Sequence, residues 1–132
     1  MKKILFVCVE NSCRSQMAEA FGKIHGKEII ECYSAGSRAS GKVNEKAIKS
    51  MQAIGYNLST HVSKSLNEIP NEKYDFAITM GCGDECPFVI AEQRLDWSIP
   101  DPKHMDETEF AQVRDIIEQK VLALILEVSS VE

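Results

Sequence analysis

Apolar residues run unbroken from Ile4 to Val7 and end at Cys8, a pattern that predicts a strand over 2–8 buried on both faces. Met17, Phe21 and Ile24 follow at helical spacing and stop before Gly26, so a helix is expected next. Residues 28–35 predict a second strand, closed by a loop at 36–41 that contains Ser, Arg and Gly. A second helix is predicted from Val43 or Asn44 through Ala47, Ile48, Met51 and Ile54, ending at Gly55. After an irregular stretch with a short turn near 65–69, residues 74–80 predict a third strand and 95–99 a short fourth. The last helix is predicted from Asp106 or Glu107, with Phe110, Val113, Ile117, Val121, Leu124 and Val128 along one stripe. Strands that alternate with helices favour an α/β fold, a parallel sheet with right-handed crossovers and helices on both faces. Ligands of such sheets bind beyond the carboxyl ends of the strands. Two loops of this chain lie at such ends, 8–15 and 81–87.

A chain of 132 residues with 44% hydrophobic content fits a single domain over 1–132 that buries its own core without staples. Its net charge of −5, with no long basic run, gives no electrostatic reason to expect a nucleic-acid surface. No stretch approaches the roughly 20 apolar residues of a membrane span. The start, Met1-Lys2-Lys3 before Ile4-Leu5-Phe6-Val7, has too short an apolar run for a secretory signal and meets Glu10-Asn11 without a cleavage pattern. A cytoplasmic location is therefore expected. Five cysteines, at 8, 13, 32, 82 and 86, are an odd number in such a chain, which favours catalytic or redox use over a static disulfide framework.

The segment Cys8-Val9-Glu10-Asn11-Ser12-Cys13-Arg14-Ser15 sets a thiol and a guanidinium six residues apart between the first strand and the first helix. Backbone N–H groups of such a loop, with the positive end of a helix behind them, cradle an oxyanion and favour a thiolate. Arg14 adds a planar fork of donors matched to two oxyanion oxygens. A thiolate facing that anion can attack its central atom, so 8–15 suggests nucleophilic chemistry at phosphorus or a similar element. In Gly81-Cys82-Gly83-Asp84-Glu85-Cys86-Pro87, two cysteines four apart come within disulfide range on one helical turn but not in an extended chain. Such a pair is otherwise two buried small residues or half of a metal site. Pro100 and Pro102 hold Asp101 between two restricted positions, which is plain turn chemistry or a placed acid. His25, His61 and His104 have no partner at metal-ligand spacing and are expected in solvated or capping roles. Arg14 argues against a zinc site built from Cys8, Cys13, Cys82 and Cys86, so no metal is expected. Cys13 reads as a loop or helix-start residue and Cys32 as core.

Cys-x5-Arg-Ser directly after a first strand resembles the low-molecular-weight protein tyrosine phosphatase fold, and Asn-Ser-Cys-Arg-Ser-Gln-Met-Ala-Glu-Ala-Phe at 11–21 is similar to its thioredoxin-coupled arsenate reductase branch. The resemblance spans nearly the whole chain and implies a four-stranded parallel sheet. It also implies reduction of arsenate to arsenite. Cys8 would attack arsenate held by Val9, Glu10, Asn11, Ser12, Cys13, Arg14 and Ser15, with Ser15 supporting the thiolate and Asp101 protonating the departing oxygen. Cys82 is then implied as the first resolving thiol and Cys86 as the second, leaving a Cys82–Cys86 disulfide for an external dithiol such as thioredoxin. Arsenate and that dithiol protein are the implied partners, no bound cofactor is required, and a monomer is expected. Glu10 departs from the glycine often found at that point of the family's loop, and a positive φ there would strain it. Lys103-His104 stands where the tyrosine phosphatases usually carry an aromatic residue, and Lys64 stands where potassium-binding relatives add an aspartate to positions matching Asn11, Glu19 and Ser34. The alternatives are a phosphatase acting on protein phosphotyrosine or small phosphoesters through Cys8, Arg14 and Asp101, and a non-enzymatic oxyanion-binding or redox-sensing module.

Overall fold

The computed structural model describes residues 1–81 and 90–131. Within them β1 (Lys2–Cys8), β2 (Ile30–Gly36), β3 (Tyr74–Thr79) and β4 (Ala91–Asp96) form one parallel sheet in the order β2-β1-β3-β4. Three helices, α1 (Arg14–His25), α2 (Glu45–Gln52) and α3 (Glu107–Val131), complete the α/β architecture that the sequence predicts.

From Ile4 to Cys8 β1 is apolar without interruption because both of its faces are covered there. Ile4, Phe6 and Cys8 meet Met17 and Phe21 of α1, Met51 of α2 and the α3 stripe, whereas Leu5 and Val7 join Ala35, Tyr74 and Ala77 on the opposite face. That second face is covered among the described residues by Leu66 and Ile69, at and just after a 3-10 turn over Leu66–Glu68. Phe110, Val113, Ile117, Val121, Leu124 and Val128 are all buried, so the predicted stripe of α3 is the one that seats it. Each such side chain contributes about 1.5–3 kcal/mol on burial.

Element ends depart from the sequence reading where local hydrogen bonds decide them. β2 begins at Ile30 rather than 28, because the amides of Ile29 and Ile30 both turn back to the Gly26 carbonyl at 2.9 Å. The fourth strand is Ala91–Asp96, not 95–99. Its side chains beyond Ala91 are exposed, as suits an edge strand carrying charge, and so it lacks the apolar signal. The Ile99 amide bonds the Trp97 carbonyl at 2.8 Å, so the chain turns there rather than extending. Asn44 caps α2 by accepting from the Lys46 amide at 2.8 Å, and Asp106 likewise accepts from the Glu109 amide at 2.8 Å.

The chain crosses from β1 to β2 on one side and places β3 on the other. The crevice between the carboxyl ends of β1 and β3 is therefore the point where strand order reverses. Cys8 ends one of these strands, and Gly81 lies two residues past the other. Among the described residues no helix is long and apolar enough to cross a membrane.

Candidate active site

Residues 9–13 form a loop between β1 and α1 whose carbonyls are tied outward. Ser37, Arg38, Ser40 and Asn44 donate their amides to the carbonyls of Cys8, Val9, Glu10 and Ser12 at 2.8–3.3 Å. In a planar trans peptide the next N–H points the opposite way. The amides of Val9, Glu10, Asn11 and Cys13 are thereby turned from this strap toward the inside of the loop, a cradle for an anion at the start of α1. The positive φ falls on Asn11, at 51°, not on Glu10, so the strain anticipated at Glu10 is absent. Asparagine tolerates that conformation better than most residues. Gly36 permits the close approach of strap and loop, since a Cβ there would lie 2.6 Å from the Val9 carbonyl oxygen.

Cys8 is buried at the base of the loop, with its Sγ 2.8 Å from Ser15 Oγ. Asn11 Nδ2 donates to the same Ser15 oxygen at 2.8 Å. The one proton of the Ser15 hydroxyl is then available to the Cys8 sulfur. Cys13 caps α1 without a side-chain bond, and burial pushes its thiol up to about 12, so it remains protonated. Burial does the same to Cys32, also to about 12.

Arg14 is nearly buried, and its Nη1 donates to the Met80 carbonyl and, at 3.0 Å, to the Ile99 carbonyl. These bonds fix the plane of the guanidinium fork. Gly81, with φ +79°, makes room for it, since a Cβ there would stand 3.2 Å from Arg14 Nη1 and 3.0 Å from the Ile99 carbonyl oxygen. Asp101 is about half exposed, its Oδ2 3.9 Å from Arg14 Nη2 and its Oδ1 accepting from the Lys103 amide at 3.1 Å. Cys8, Arg14 and Asp101 line one pocket of about 650 Å3, together with Val9, Glu10, Ser12 and Cys13. The expected nucleophile, anion clamp and acid are thus brought together, although they are separated by up to 93 positions in sequence. Asn11 and Ser15 stand behind the loop as its supports. Cys82 and Cys86 lie outside the described residues.

Behind the loop is a buried polar network that sequence reasoning did not assemble. Gln16 Nε2 faces the Asn11 carbonyl, Asn11 Oδ1 and the Val62 carbonyl at 2.8–3.1 Å, which leaves its Oε1 to accept from His61 Nδ1 at 2.9 Å. Tyr56 OH completes the chain by donating to His61 Nε2 at 2.6 Å. His61 is therefore not solvated, since its side chain is 3% exposed, while its backbone amide caps the 3-10 turn Leu58–Thr60 by donating to the Leu58 carbonyl at 3.0 Å. Burial holds its pKa below the ordinary value, consistent with a neutral ring. Glu19 accepts from Ser34 Oγ at 2.5 Å and lies 2.8 Å from Lys23 Nζ and 3.5 Å from Lys64 Nζ. Burial would raise the Glu19 carboxyl, but the hydrogen bonds from Lys23 and Ser34 and the charge of Lys64 prevail and lower it. The Lys64 amide also donates to Asn11 Oδ1 at 2.9 Å. An ammonium thus sits beside Glu19 and Ser34. The partners in this network lie up to 53 residues apart, and no local spacing signals them.

Residues 3–131 match the family described as low molecular weight phosphotyrosine protein phosphatase. The chain is 37% identical over 132 residues to a glutaredoxin arsenate reductase of Synechocystis sp., covering 98% of this chain and 100% of that protein. It is also 37% identical over 130 residues to an arsenate reductase of Halalkalibacterium halodurans, covering 91% and 92%. A solved structure of an arsenate reductase in the phosphate binding state superposes with a TM-score of 0.88 at 37% identity, covering 97% of this chain and 99% of that one. A thioredoxin-dependent arsenate reductase of Corynebacterium glutamicum superposes with a TM-score of 0.79 at 26% identity, over 100% of this chain and 64% of that one.

Proposed function

Since the chain belongs to the low molecular weight phosphotyrosine protein phosphatase family, and the relatives it matches over nearly their full length are arsenate reductases, we infer that it reduces arsenate to arsenite. One structural observation carries the oxyanion chemistry, Cys8, Arg14 and Asp101 lining a single pocket over a loop whose amides face inward, and the full-length relatives direct that chemistry to arsenate.

The loop amides and Arg14 hold three oxygens of arsenate against the Cys8 sulfur. The thiolate attacks arsenic, a sulfur–arsenic bond forms, and the departing oxygen leaves as water with the proton of Asp101. Cys82 then attacks Cys8 Sγ. A disulfide forms, the sulfur–arsenic bond breaks, and arsenic keeps the electron pair and departs as arsenite. Cys86 attacks Cys82 and releases the Cys8 thiolate, leaving Cys82–Cys86 oxidised. An external dithiol protein accepts that disulfide. Thioredoxin is the proposed reductant because a disulfide held within one chain is the substrate of a dithiol, and one matched structure is thioredoxin-dependent by name. Catalysis draws on these thiols alone, in a single domain over 1–132 that acts as a monomer in the reducing cytoplasm. The ammonium of Lys64, beside Glu19 and Ser34, stands in for a monovalent cation, so added potassium is not required.

NADPH-coupled turnover of arsenate with thioredoxin and thioredoxin reductase tests this reading, run beside glutaredoxin with glutathione. Sustained turnover with thioredoxin supports it, turnover only with glutaredoxin replaces the reductant, and no arsenite in either arm refutes it. Cys8, Arg14 and Asp101 are also all that phosphate ester hydrolysis requires. Slow cleavage of aryl phosphate, independent of Cys82 and Cys86, accompanies the reductase in this account.

A further inference from the structure

Glu10 and Lys103 line the same pocket as Cys8 and Asp101, and they touch each other. Lys103 Nζ lies 3.0 Å from Glu10 Oε1 and 2.8 Å from Oε2, a two-pronged ion pair between the anion loop and the segment that carries Asp101. Both ends are anchored in the backbone. The Glu10 carbonyl accepts from the Ser40 amide at 3.0 Å and from Ser63 Oγ at 3.1 Å. The Lys103 amide donates to Asp101 Oδ1, while Lys46 Nζ donates to the Met105 carbonyl at 2.9 Å and the Lys103 carbonyl at 3.4 Å. The pair therefore ties the acid segment to the loop at the rim of the pocket. An inorganic oxyanion fits beneath such a tie, since all four of its oxygens end within the site. A phosphate monoester fits less well, because its organic group must leave past the rim.

We propose that the Glu10–Lys103 pair is a specificity device, admitting compact inorganic oxyanions and disfavouring esters with a bulky aryl group. It rests on the anion-site reading above and deepens it. Charge makes a second demand. The Glu10 carboxylate would repel an anion at the rim, and the Lys103 ammonium offsets it. Removing either partner opens the rim, but the two removals shift the local charge in opposite directions.

Equilibrium binding by calorimetry separates these effects without using turnover, with inorganic phosphate as the compact probe and phenylphosphonate as the aryl probe. Both side chains are partly exposed, so the effects are modest. In Glu10→Gln and in Lys103→Met the ratio of phenylphosphonate to phosphate dissociation constants is expected to fall about two- to five-fold. Phosphate itself is expected to bind tighter in Glu10→Gln and weaker in Lys103→Met. The exchanged double variant, Glu10→Lys with Lys103→Glu, is expected to return the ratio toward that of the parent. An unchanged ratio in both single variants, or phosphate affinity moving in the same direction in both, overturns the proposal while leaving the reductase reading intact. Failure of the parent to bind either anion overturns both.

Discussion

Ser15 Oγ accepts from Asn11 Nδ2 at 2.8 Å and lies 2.8 Å from the Cys8 sulfur, so its proton is directed at the nucleophile. A hydrogen bond to a charged group is worth about 1.5–3 kcal/mol. Ser15→Ala is therefore expected to slow alkylation of Cys8 by iodoacetamide at neutral pH by about 10- to 100-fold. An unchanged rate would remove Ser15 from the account. At this scale Cys8, Arg14 and Ser15 were legible in the sequence because their chemistry depends on local order, one loop feeding one helix. Asp101 was legible only through its two prolines and the resemblance. Gln16, Tyr56 and His61 were not, since a buried relay between a helix, a turn and a loop leaves no spacing to read. Glu10 and Lys103 stood out as departures from a family pattern, but only their 2.8 Å approach shows that the two departures meet.

At the level of elements, the site depends on chain ends that converge where strand order reverses. Gly81, two residues past β3, packs against Arg14. Gly81→Ala puts a Cβ into left-handed backbone and against Arg14 Nη1, whereas Gly41→Ala meets comparable backbone strain, at φ +82°, with open space around the new Cβ. Each is expected to lose about 1–2 kcal/mol of stability in urea denaturation. Only Gly81→Ala is expected to lose catalysis as well, at least ten-fold in aryl phosphate kcat/KM. Equal activity in the two variants would detach Gly81 from the placing of Arg14. β1 and α3 were plain in the sequence because burial on both faces, or along one stripe, writes an apolar pattern. β4 was misplaced because the exposed run Glu92-Gln93-Arg94 carries no such pattern, and the sheet edge is set by pairing to β3.

For the whole molecule, the buried network ties stability to pH. His61 and Glu19 are both held below their ordinary values of 6.5 and 4.5. On acidification the unfolded chain therefore binds these protons before the folded one does, and stability falls. Urea midpoints are expected to be flat between the ordinary histidine value and the ordinary thiol value of 9.0, above which the buried Cys13 and Cys32 lower them. On acidification they are expected to drop below the histidine value as His61 titrates in the unfolded chain, and to drop again below the ordinary glutamate value. In His61→Gln the first drop should vanish while the second remains. A parent midpoint that holds constant across both values would contradict the burial argument. In the proposed cycle Cys8 takes the arsenate, and Cys82 and then Cys86 resolve it. The cysteine pair lies outside the described residues, so its redox role is proposed from spacing and neighbours in the sequence, and its order of attack is a matter of geometry during turnover. Mass spectrometry of thiol-blocked peptides after one equivalent of arsenate tests that claim most directly. Cys86→Ser is expected to release one arsenite and accumulate a Cys8–Cys82 disulfide, and Cys82→Ser to release none. A Cys8–Cys86 disulfide in Cys82→Ser, or arsenite released by Cys8→Ser, would contradict it.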